Sequence, residues 1–135
     1  LGSFKNFIFK VKKTSLSLYY GLFDNNELIA YYWLMKFENI PNTYRGHEFH
    51  VNSNYQKQGI SLFLNNHILF VERIQILSDH SHTKTSSHIW DKFRETKELT
   101  VGTYNEITNE INWNGNFDKK EIYQNDYMHM IVKSK

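Results

Sequence analysis

Two neighbouring segments near the start of the chain are mostly hydrophobic and are separated by a short polar stretch. Leu16–Phe23 and Leu28–Phe37 are rich in Leu, Tyr and Ile, residue types that favour half-buried β-strands. Asp24, Asn25 and Asn26 lie between the two segments, and these polar residue types favour tight turns. The pattern therefore predicts a β-hairpin.

The centre of the chain predicts a strand–helix–strand–helix order. His47–Val51 is typical of a short strand, and Gly59–Arg73 has apolar residues at positions 60, 63, 64, 68 and 71, which is a helical spacing. Ile74–Leu77 is a four-residue apolar run, short enough to be a buried strand. A second helix is predicted from about Thr85 to Glu95.

The two ends of the chain predict further strands. Phe4–Lys13 alternates only in part and fits either a first strand or the end of a helix. Glu38–Tyr44, which contains the single proline, is expected to be a loop. Three later segments have a strand-like composition: Leu99–Tyr104 and Glu110–Trp113, which are expected to pair, and Tyr127–Val132, which is expected to close the sheet.

This order of elements predicts the fold class. Strands come first, a β-α-β-α unit follows and strands come last, which is typical of an α+β or mixed α/β sheet. The central crossover requires one parallel pair of strands. A chain of 135 residues is long enough for one core and too short for two ordinary domains, so residues 1–135 are expected to form a single domain.

The segment after Val51 is the most informative part of the sequence. A polar stretch leads to Gly59, where the predicted helix begins. The first backbone N–H groups of a helix lack partners within the helix, and a glycine lets a ligand approach the main chain closely. The segment is therefore a candidate site for a phosphate or pyrophosphate. An ordinary strand-to-helix turn would have the same pattern.

The same residues carry a family resemblance. The stretch from Gln56 through Gly59 to Ser61 resembles the Gln/Arg-x-x-Gly-x-Gly/Ala signature of the GNAT N-acetyltransferase superfamily, with Ser61 in place of the usual Gly or Ala. The order of elements over roughly residues 16 to 95 also resembles the family. The resemblance implies a GNAT-like twisted mixed sheet with a central β-α-β-α unit and reduced N-terminal helices. The aromatic, Asn-rich composition suggests a compact, phage-type member.

The resemblance also implies a cofactor and the residues that bind it. In the family this loop holds the pyrophosphate of acetyl-coenzyme A, which lies between two splayed parallel strands. Acetyl-CoA is therefore the expected cofactor, and its expected contacts are Val51, Gln56, Lys57, Gln58, Gly59, Ile60 and Ser61. By the same resemblance, the backbone of Val51 would polarise the thioester carbonyl and orient the pantetheine arm.

Acetyl transfer to an amine needs a base, and the family often places a Glu or His on the strand before the loop. His47 is the first candidate, because it shares strand parity with Val51 and both could face the cleft. Glu48 is the second candidate, since it has the opposite parity unless a bulge changes the register. The alternative is that His47 is a surface or packing histidine.

One departure from the family concerns the acid that would protonate the leaving thiolate. The family often has a Tyr in the helix that corresponds to Thr85–Glu95, and Trp90 occupies the comparable place here. An indole has no proton of useful acidity. Ser86 and Tyr104 are candidates for the acid, or transferase activity has been lost. Trp90 itself is expected either to pack in the core or to line the thiol end of the cleft.

Composition and charge restrict the other functions. The absence of cysteine excludes disulfides and thiolate chemistry. No segment resembles a signal peptide or a membrane span, so a cytoplasmic protein is expected. The formal net charge of +2 is too small to indicate nucleic-acid binding by itself. Two groups of lysines, at positions 10, 12 and 13 and at positions 119, 120, 133 and 135, are expected to be solvated surface.

Seven histidines raise the question of a metal site. His47 lies close to His50, and Asp79 lies close to His80 and His82, but neither group has a known zinc-ligand spacing. No metal is therefore expected. The polar, His-rich segment follows a central strand, where α/β sheets tend to bind ligands, and it is a candidate wall of the acceptor site.

Three functions remain open on the sequence alone. The first is an acetyl-CoA-dependent N-acyltransferase that acts on an amine of a small molecule, a protein or a nucleic acid base. The second is a non-catalytic binding module with the GNAT fold. The third is a nucleic-acid-associated protein that uses its lysines and exposed aromatic residues.

Overall fold

A computed structural model describes residues 3–4, 6–78, 84–114, 117, 120, 122 and 124–135. These residues include nine strands and two helices, in this order: β1 (Ser3–Phe4), β2 (Phe7–Lys13), β3 (Ser17–Asp24), β4 (Glu27–Lys36), β5 (Thr43–Val51), α1 (Ile60–Asn66), β6 (Gln75–Leu77), α2 (Lys84–Glu95), β7 (Leu99–Asn105), β8 (Glu110–Asn112) and β9 (Met128–Ser134). A 3₁₀ turn at Ser53–Tyr55 precedes α1, and a π-helical turn at His67–Val71 continues it.

The nine described strands belong to one mixed sheet, in the order β1-β2-β3-β4-β5-β6-β9-β7-β8. β5 and β6 are parallel, and every other neighbouring pair is antiparallel. The parallel pair is joined by α1, as the central crossover requires. The predicted α+β fold with a β-α-β-α unit is confirmed.

Both helices pack on the same face of the sheet. Leu22 of β3, Leu64 of α1, Phe93 of α2 and Val132 of β9 belong to one cluster of buried side chains. Burial of this cluster is the main source of stability, since each large apolar side chain removed from water contributes roughly 1.5–3 kcal/mol.

The opposite face of the sheet has two different halves. Over β6, β9 and β7 a second cluster is buried, formed by Ile40, Leu77, Tyr104 and Ile131, with Trp113 packed against it. Over β2–β5 the apolar side chains are exposed: Ile8 is 52% exposed, Tyr19 37%, Leu28 46% and Met35 40%. We call this surface of β2–β5 the open face.

The hairpin of β3 and β4 is confirmed. Asp24 pairs with Glu27 in the strand register, and the two residues between them are Asn25 (φ 49°) and Asn26 (φ 69°). Two consecutive left-handed residues match the right-handed twist of a hairpin, and asparagine adopts this conformation more readily than most residues.

The start of the chain is a strand rather than the end of a helix. β2 pairs with β3 along six residues, from Ile8 opposite Phe23 to Lys13 opposite Leu18. Residues 14–16 connect the two strands, and the Thr14 hydroxyl accepts a hydrogen bond from the Ser17 N–H at 3.0 Å. A three-residue connection is too short to contain a helix. No described helix therefore covers the open face.

The end of the α1 segment contains a buried histidine beside a carboxylate. His67 is 7% exposed, and its Nε2 lies 3.4 Å from Glu72 Oε1. Lys13 Nζ donates a hydrogen bond to Glu72 Oε2 at 3.0 Å. The hydrogen bond from Lys13 holds the pKa of Glu72 below its usual value, with further lowering from the Lys13 charge and from His67, against a smaller opposing effect of burial.

We expect the Glu72→Gln variant to lose stability in a pH-dependent manner. Because the folded-state pKa of Glu72 lies below the unfolded value, its contribution is fully present above about pH 4.5 and is lost as the pH falls through the folded-state pKa. A partly exposed pair contributes roughly 1 kcal/mol or less. Urea unfolding at neutral pH and near pH 3 measures the free energy of unfolding of both proteins. The variant should be less stable than the parent protein at neutral pH, and the difference should be small near pH 3. A pH-independent difference would contradict the assignment.

Candidate functional site

The parallel pairing of β5 and β6 is unusually short. Three residue pairs form it, from Thr43–Gln75 to Arg45–Leu77, whereas β5 continues to Val51. Ser78 then donates its N–H to the Met130 carbonyl of β9 at 2.8 Å. Among the described residues, positions 46–51 of β5 thus pair with β4 on one side and have no strand on the other. A gap bordered by main-chain groups opens between the two parallel strands.

The loop predicted to bind a pyrophosphate lies at the end of this gap. Lys57 (φ 64°) and Gly59 (φ 82°) both have left-handed backbone conformations, which glycine adopts easily and lysine only at a cost. Gly59 is the N-cap residue of α1, and no side chain caps this end. The first N–H groups of the helical segment are therefore left for solvent or for a ligand.

Three hydrogen bonds fix this loop to the sheet. Gln56 Nε2 donates to the Val51 carbonyl at 3.3 Å, and the Asn52 N–H donates to the Ile29 carbonyl at 2.7 Å. The Tyr55 hydroxyl donates to Asp24 Oδ2 at 2.8 Å, and this hydrogen bond raises the pKa of Tyr55. The Gln56 side chain therefore orients the loop from the strand side.

The structure brings the seven predicted cofactor-binding residues together at one strand end, one loop and one helix start. Ile60 is 2% exposed and anchors α1 in the core. The Ser61 carbonyl accepts a hydrogen bond from Asn65 Nδ2 at 2.9 Å. Lys57 is exposed, and Gln58 and Val51 are half-buried.

His47 does not share the face of Val51, so the parity argument for it is wrong. The register places Glu48 opposite Trp33 and Gly46 opposite Leu34, which makes His47 the extra residue of a β-bulge. The His47 ring contacts the Trp33 ring edge-on, with centroids 4.2 Å apart. His47 therefore lies on the open face, whereas Val51 packs against the main core on the helix side.

The bulge leaves Glu48 and His50 on the open face as well. A hydrogen bond with Glu48 raises the pKa of Tyr31, which is the residue opposite His50 on β4. The His50 and Tyr31 rings lie 5.6 Å apart. Both candidate bases, His47 and Glu48, are thus next to the gap and on the side away from the helices.

A polar network at the start of the gap was missed by the sequence reasoning. Arg45 Nη2 lies 3.8 Å from Glu106 Oε1, and His129 Nε2 lies 3.6 Å from the same oxygen. Arg45 Nε also donates to the Ser78 carbonyl at 3.3 Å. The four residues come from four distant segments, so no sequence spacing could have indicated them. The network links β5 to β9 and to Glu106, which directly follows β7. It lies beside the point where β5 and β6 separate.

Neither Trp90 nor the acid candidate Tyr104 offers a proton at the gap. Trp90 is 5% exposed and belongs to the main core, where its ring meets Phe93 edge-on with centroids 5.2 Å apart. This confirms the packing alternative for Trp90. Tyr104 is fully buried, and its hydroxyl donates to Asn109 Oδ1. The Ser86 side chain lies outside the described part of the structure.

The predicted acceptor wall cannot be placed, because Asp79, His80 and His82 lie outside the described residues. Among the residues that are described, no group of three or more potential ligands could hold a metal ion. The described helices also include none that is long and apolar enough to cross a membrane.

Comparison with known proteins identifies the fold. No protein-family model and no curated protein sequence matches this chain. A GNAT family acetyltransferase from Elizabethkingia anophelis, with acetyl-CoA bound, is similar in structure at 14% identity and a TM-score of 0.55, over 97% of this chain and 99% of that chain. The ribosomal-protein-S18-alanine N-acetyltransferase from Escherichia coli is similar at 8% identity and a TM-score of 0.52, over 90% of this chain and 71% of that chain.

A third similar structure is a longer protein. A Bacteroides thetaiotaomicron chain assigned to the GNAT acetyltransferase family matches at 12% identity and a TM-score of 0.51, over 92% of this chain and 65% of that chain. This chain therefore spans less than two thirds of the Bacteroides protein. At such identities the similarity shows the fold, which is that of GNAT acetyltransferases. The three relatives are bacterial and give no support to a phage-type member.

The position of Trp90 gives a test of the core. We expect Trp90→Ala to reduce the free energy of unfolding by about 3–5 kcal/mol, the usual cost of deleting a buried aromatic side chain. Trp33→Ala is the matched control, because Trp33 lies on the open face and its removal leaves no enclosed cavity. Urea unfolding measures both. A loss for Trp90→Ala that does not exceed the loss for Trp33→Ala would contradict the core position.

Proposed function

We propose that this chain is an acetyl-CoA-dependent N-acyltransferase that transfers an acetyl group to an amine acceptor. The observation that carries the proposal is the gap between β5 and β6, which ends at a loop with an uncapped helix start. Acetyl-CoA bound in such a site supplies an activated acetyl thioester. The similar fold of an acetyltransferase with acetyl-CoA bound supports the same assignment.

The residues present fit a nucleotide-linked thioester. Positions 46–51 of β5 offer main-chain groups to an extended arm, as an edge strand does to an added strand. The N–H groups from Gln58 to Ser61 would hold the pyrophosphate, since no side chain caps α1 at Gly59 and these groups lie at the positive end of the helical segment. Lys57 is exposed in the same loop and would add a positive charge.

The acceptor amine would arrive from the open face. Both helices pack on the other face of the sheet, whereas His47 and Glu48 lie on the open face. In this arrangement His47 is the proposed base, because a neutral imidazole can take the amine proton at neutral pH. Glu48 is the second candidate, with its carboxylate oriented by Tyr31.

A non-catalytic module with the same fold is the second candidate function. It is favoured by one observation: the helix position that often carries the family's acid holds Trp90, which is buried in the core. Binding of coenzyme A without turnover of any amine would distinguish this function from the transferase.

The first test of the proposal concerns cofactor binding. We expect Gly59→Glu to lower the affinity for coenzyme A at least tenfold, because its carboxylate would repel the pyrophosphate and its side chain would fill the approach to the main chain. Isothermal titration calorimetry measures the affinity. Asn54→Glu is the control, since it adds the same charge in the preceding 3₁₀ turn.

A second variant separates a binding defect from a folding defect. Gly59 has a left-handed conformation, so Gly59→Glu is expected to cost stability as well. Ser61→Glu places the carboxylate in the first turn of α1, where the helix dipole favours negative charge. We therefore expect Ser61→Glu to keep its stability and still lose affinity. Unchanged affinity in Ser61→Glu would remove the main support for this site.

The next prediction concerns the base. If the chain is a transferase, His47→Ala should lower the acetylation rate roughly 10²–10⁴-fold, the usual contribution of a general base, with little change in coenzyme A affinity. A panel of amines and a thiol-release assay provide the rate. His50→Ala is the matched control, because this histidine lies on the same strand and the same face.

The acetylation rates of the variants show whether His47 or Glu48 is the base. Loss of rate in Glu48→Gln with a normal His47→Ala variant would assign the proton transfer to Glu48. Normal rates in both would show that β5 does not hold the base.

A further inference from the structure

A row of rings crosses the open face over three neighbouring strands. Tyr19 of β3 stacks on Trp33 of β4, with centroids 5.5 Å apart and planes at 24°. Trp33 also makes an edge-to-face contact with the ring of His47 on β5, with centroids 4.2 Å apart. The rings therefore form one continuous aromatic surface that ends at the gap between β5 and β6.

A second row lies one pleat further along the strands. Tyr31 of β4 lies 5.6 Å from His50 of β5, and its partner on β3 is Gly21. A Cβ at Gly21 would lie 3.1 Å from the Phe23 ring, so the glycine allows that ring to lie across the strand. Because residues i and i+2 are about 6–7 Å apart, the two rows give two separate stacking positions.

The outer edge of both rows is basic. Lys12 is opposite Tyr19 and Lys10 is opposite Gly21 in the β2–β3 register. Both lysines are exposed, and Lys10 Nζ lies 4.8 Å from the centroid of the Phe23 ring. Lys13 points to the other face, where it binds Glu72. The lysines at positions 10 and 12 are solvent-exposed, as expected, and lie at the edge of the aromatic surface.

We propose that the open face binds single-stranded nucleic acid. Unpaired bases stack on the Tyr19–Trp33 row and on the Tyr31 row, and the phosphates lie along Lys10 and Lys12. Aromatic side chains beside a basic groove are the usual means of binding single strands without sequence readout, because unpaired bases expose their faces for stacking. The inference goes beyond the acyltransferase proposal and does not depend on it.

Fluorescence anisotropy with labelled oligonucleotides of about 12 nucleotides, a length that spans several stacking sites, tests the proposal without any coenzyme A. We expect binding of single-stranded DNA or RNA at about 50 mM salt and weaker binding of the matching duplex. Lys10→Ala with Lys12→Ala should lower the slope of log affinity against log salt by about 1.4, since each phosphate contact of a single strand contributes roughly 0.7. Parallel DNA and RNA arms show which of the two is preferred.

Matched variants locate the binding surface. Lys92→Ala with Lys97→Ala removes two exposed positive charges at α2, away from the open face, and should leave the salt slope unchanged. Trp33→Ala should lower affinity about tenfold or more, whereas Trp33→Phe, which keeps a stacking ring, should remain within a few-fold of the parent protein. Circular dichroism checks that each variant is folded.

Three results would overturn the proposal. The first is no binding of either oligonucleotide at low salt. The second is an equal effect of the two lysine pairs, which would indicate diffuse electrostatic attraction. The third is a dimer, measured by light scattering, that dissociates in Trp33→Ala, which would show that the open face is covered by a second copy of this chain.

Discussion

The loss of parallel pairing after Arg45 and Leu77 is the constraint on which the rest of the site depends. β6 continues towards β9 through the hydrogen bond between Ser78 and Met130, and none of the described strands pairs with the second side of β5 beyond Arg45. A strand edge inside a sheet leaves main-chain groups that need a partner. The Arg45–Glu106–His129 network holds the strands together where the separation starts. The gap is thus a built feature of the fold.

The two faces of the gap have different surroundings, and this difference divides the proposed functions. On the helix side, α1 is fixed by buried Ile60 and begins at an uncapped Gly59, which suits an anion. On the other side, the connection between β2 and β3 is only three residues long, and no helix in the described part of the chain covers the aromatic open face. Cofactor binding is therefore proposed on one side, and acceptor approach and nucleic-acid docking on the other.

The sequence predicted the elements better than it predicted the directions of side chains. The hairpin, the crossover unit and the loop at Gln56–Ser61 follow from local patterns, because turn residues and periodicity act within a few positions. The bulge at His47 has no local signal, since it arises from the register against Trp33 and Leu34. A single extra residue changed the face of the candidate base. The network around Arg45 joins distant segments, so only the folded chain brings it together.

The most direct measurement of the central claim is a two-dimensional NMR titration of the ¹⁵N-labelled chain with coenzyme A. If the gap and its loop form the cofactor site, the largest amide shifts will fall on residues 46–51 and 57–61, with smaller shifts around Ser78. Absence of shifts at saturating coenzyme A would contradict the account. So would shifts confined to the groove lined by Asp91, Thr100, Trp113 and Lys135, which lies at the other end of the sheet.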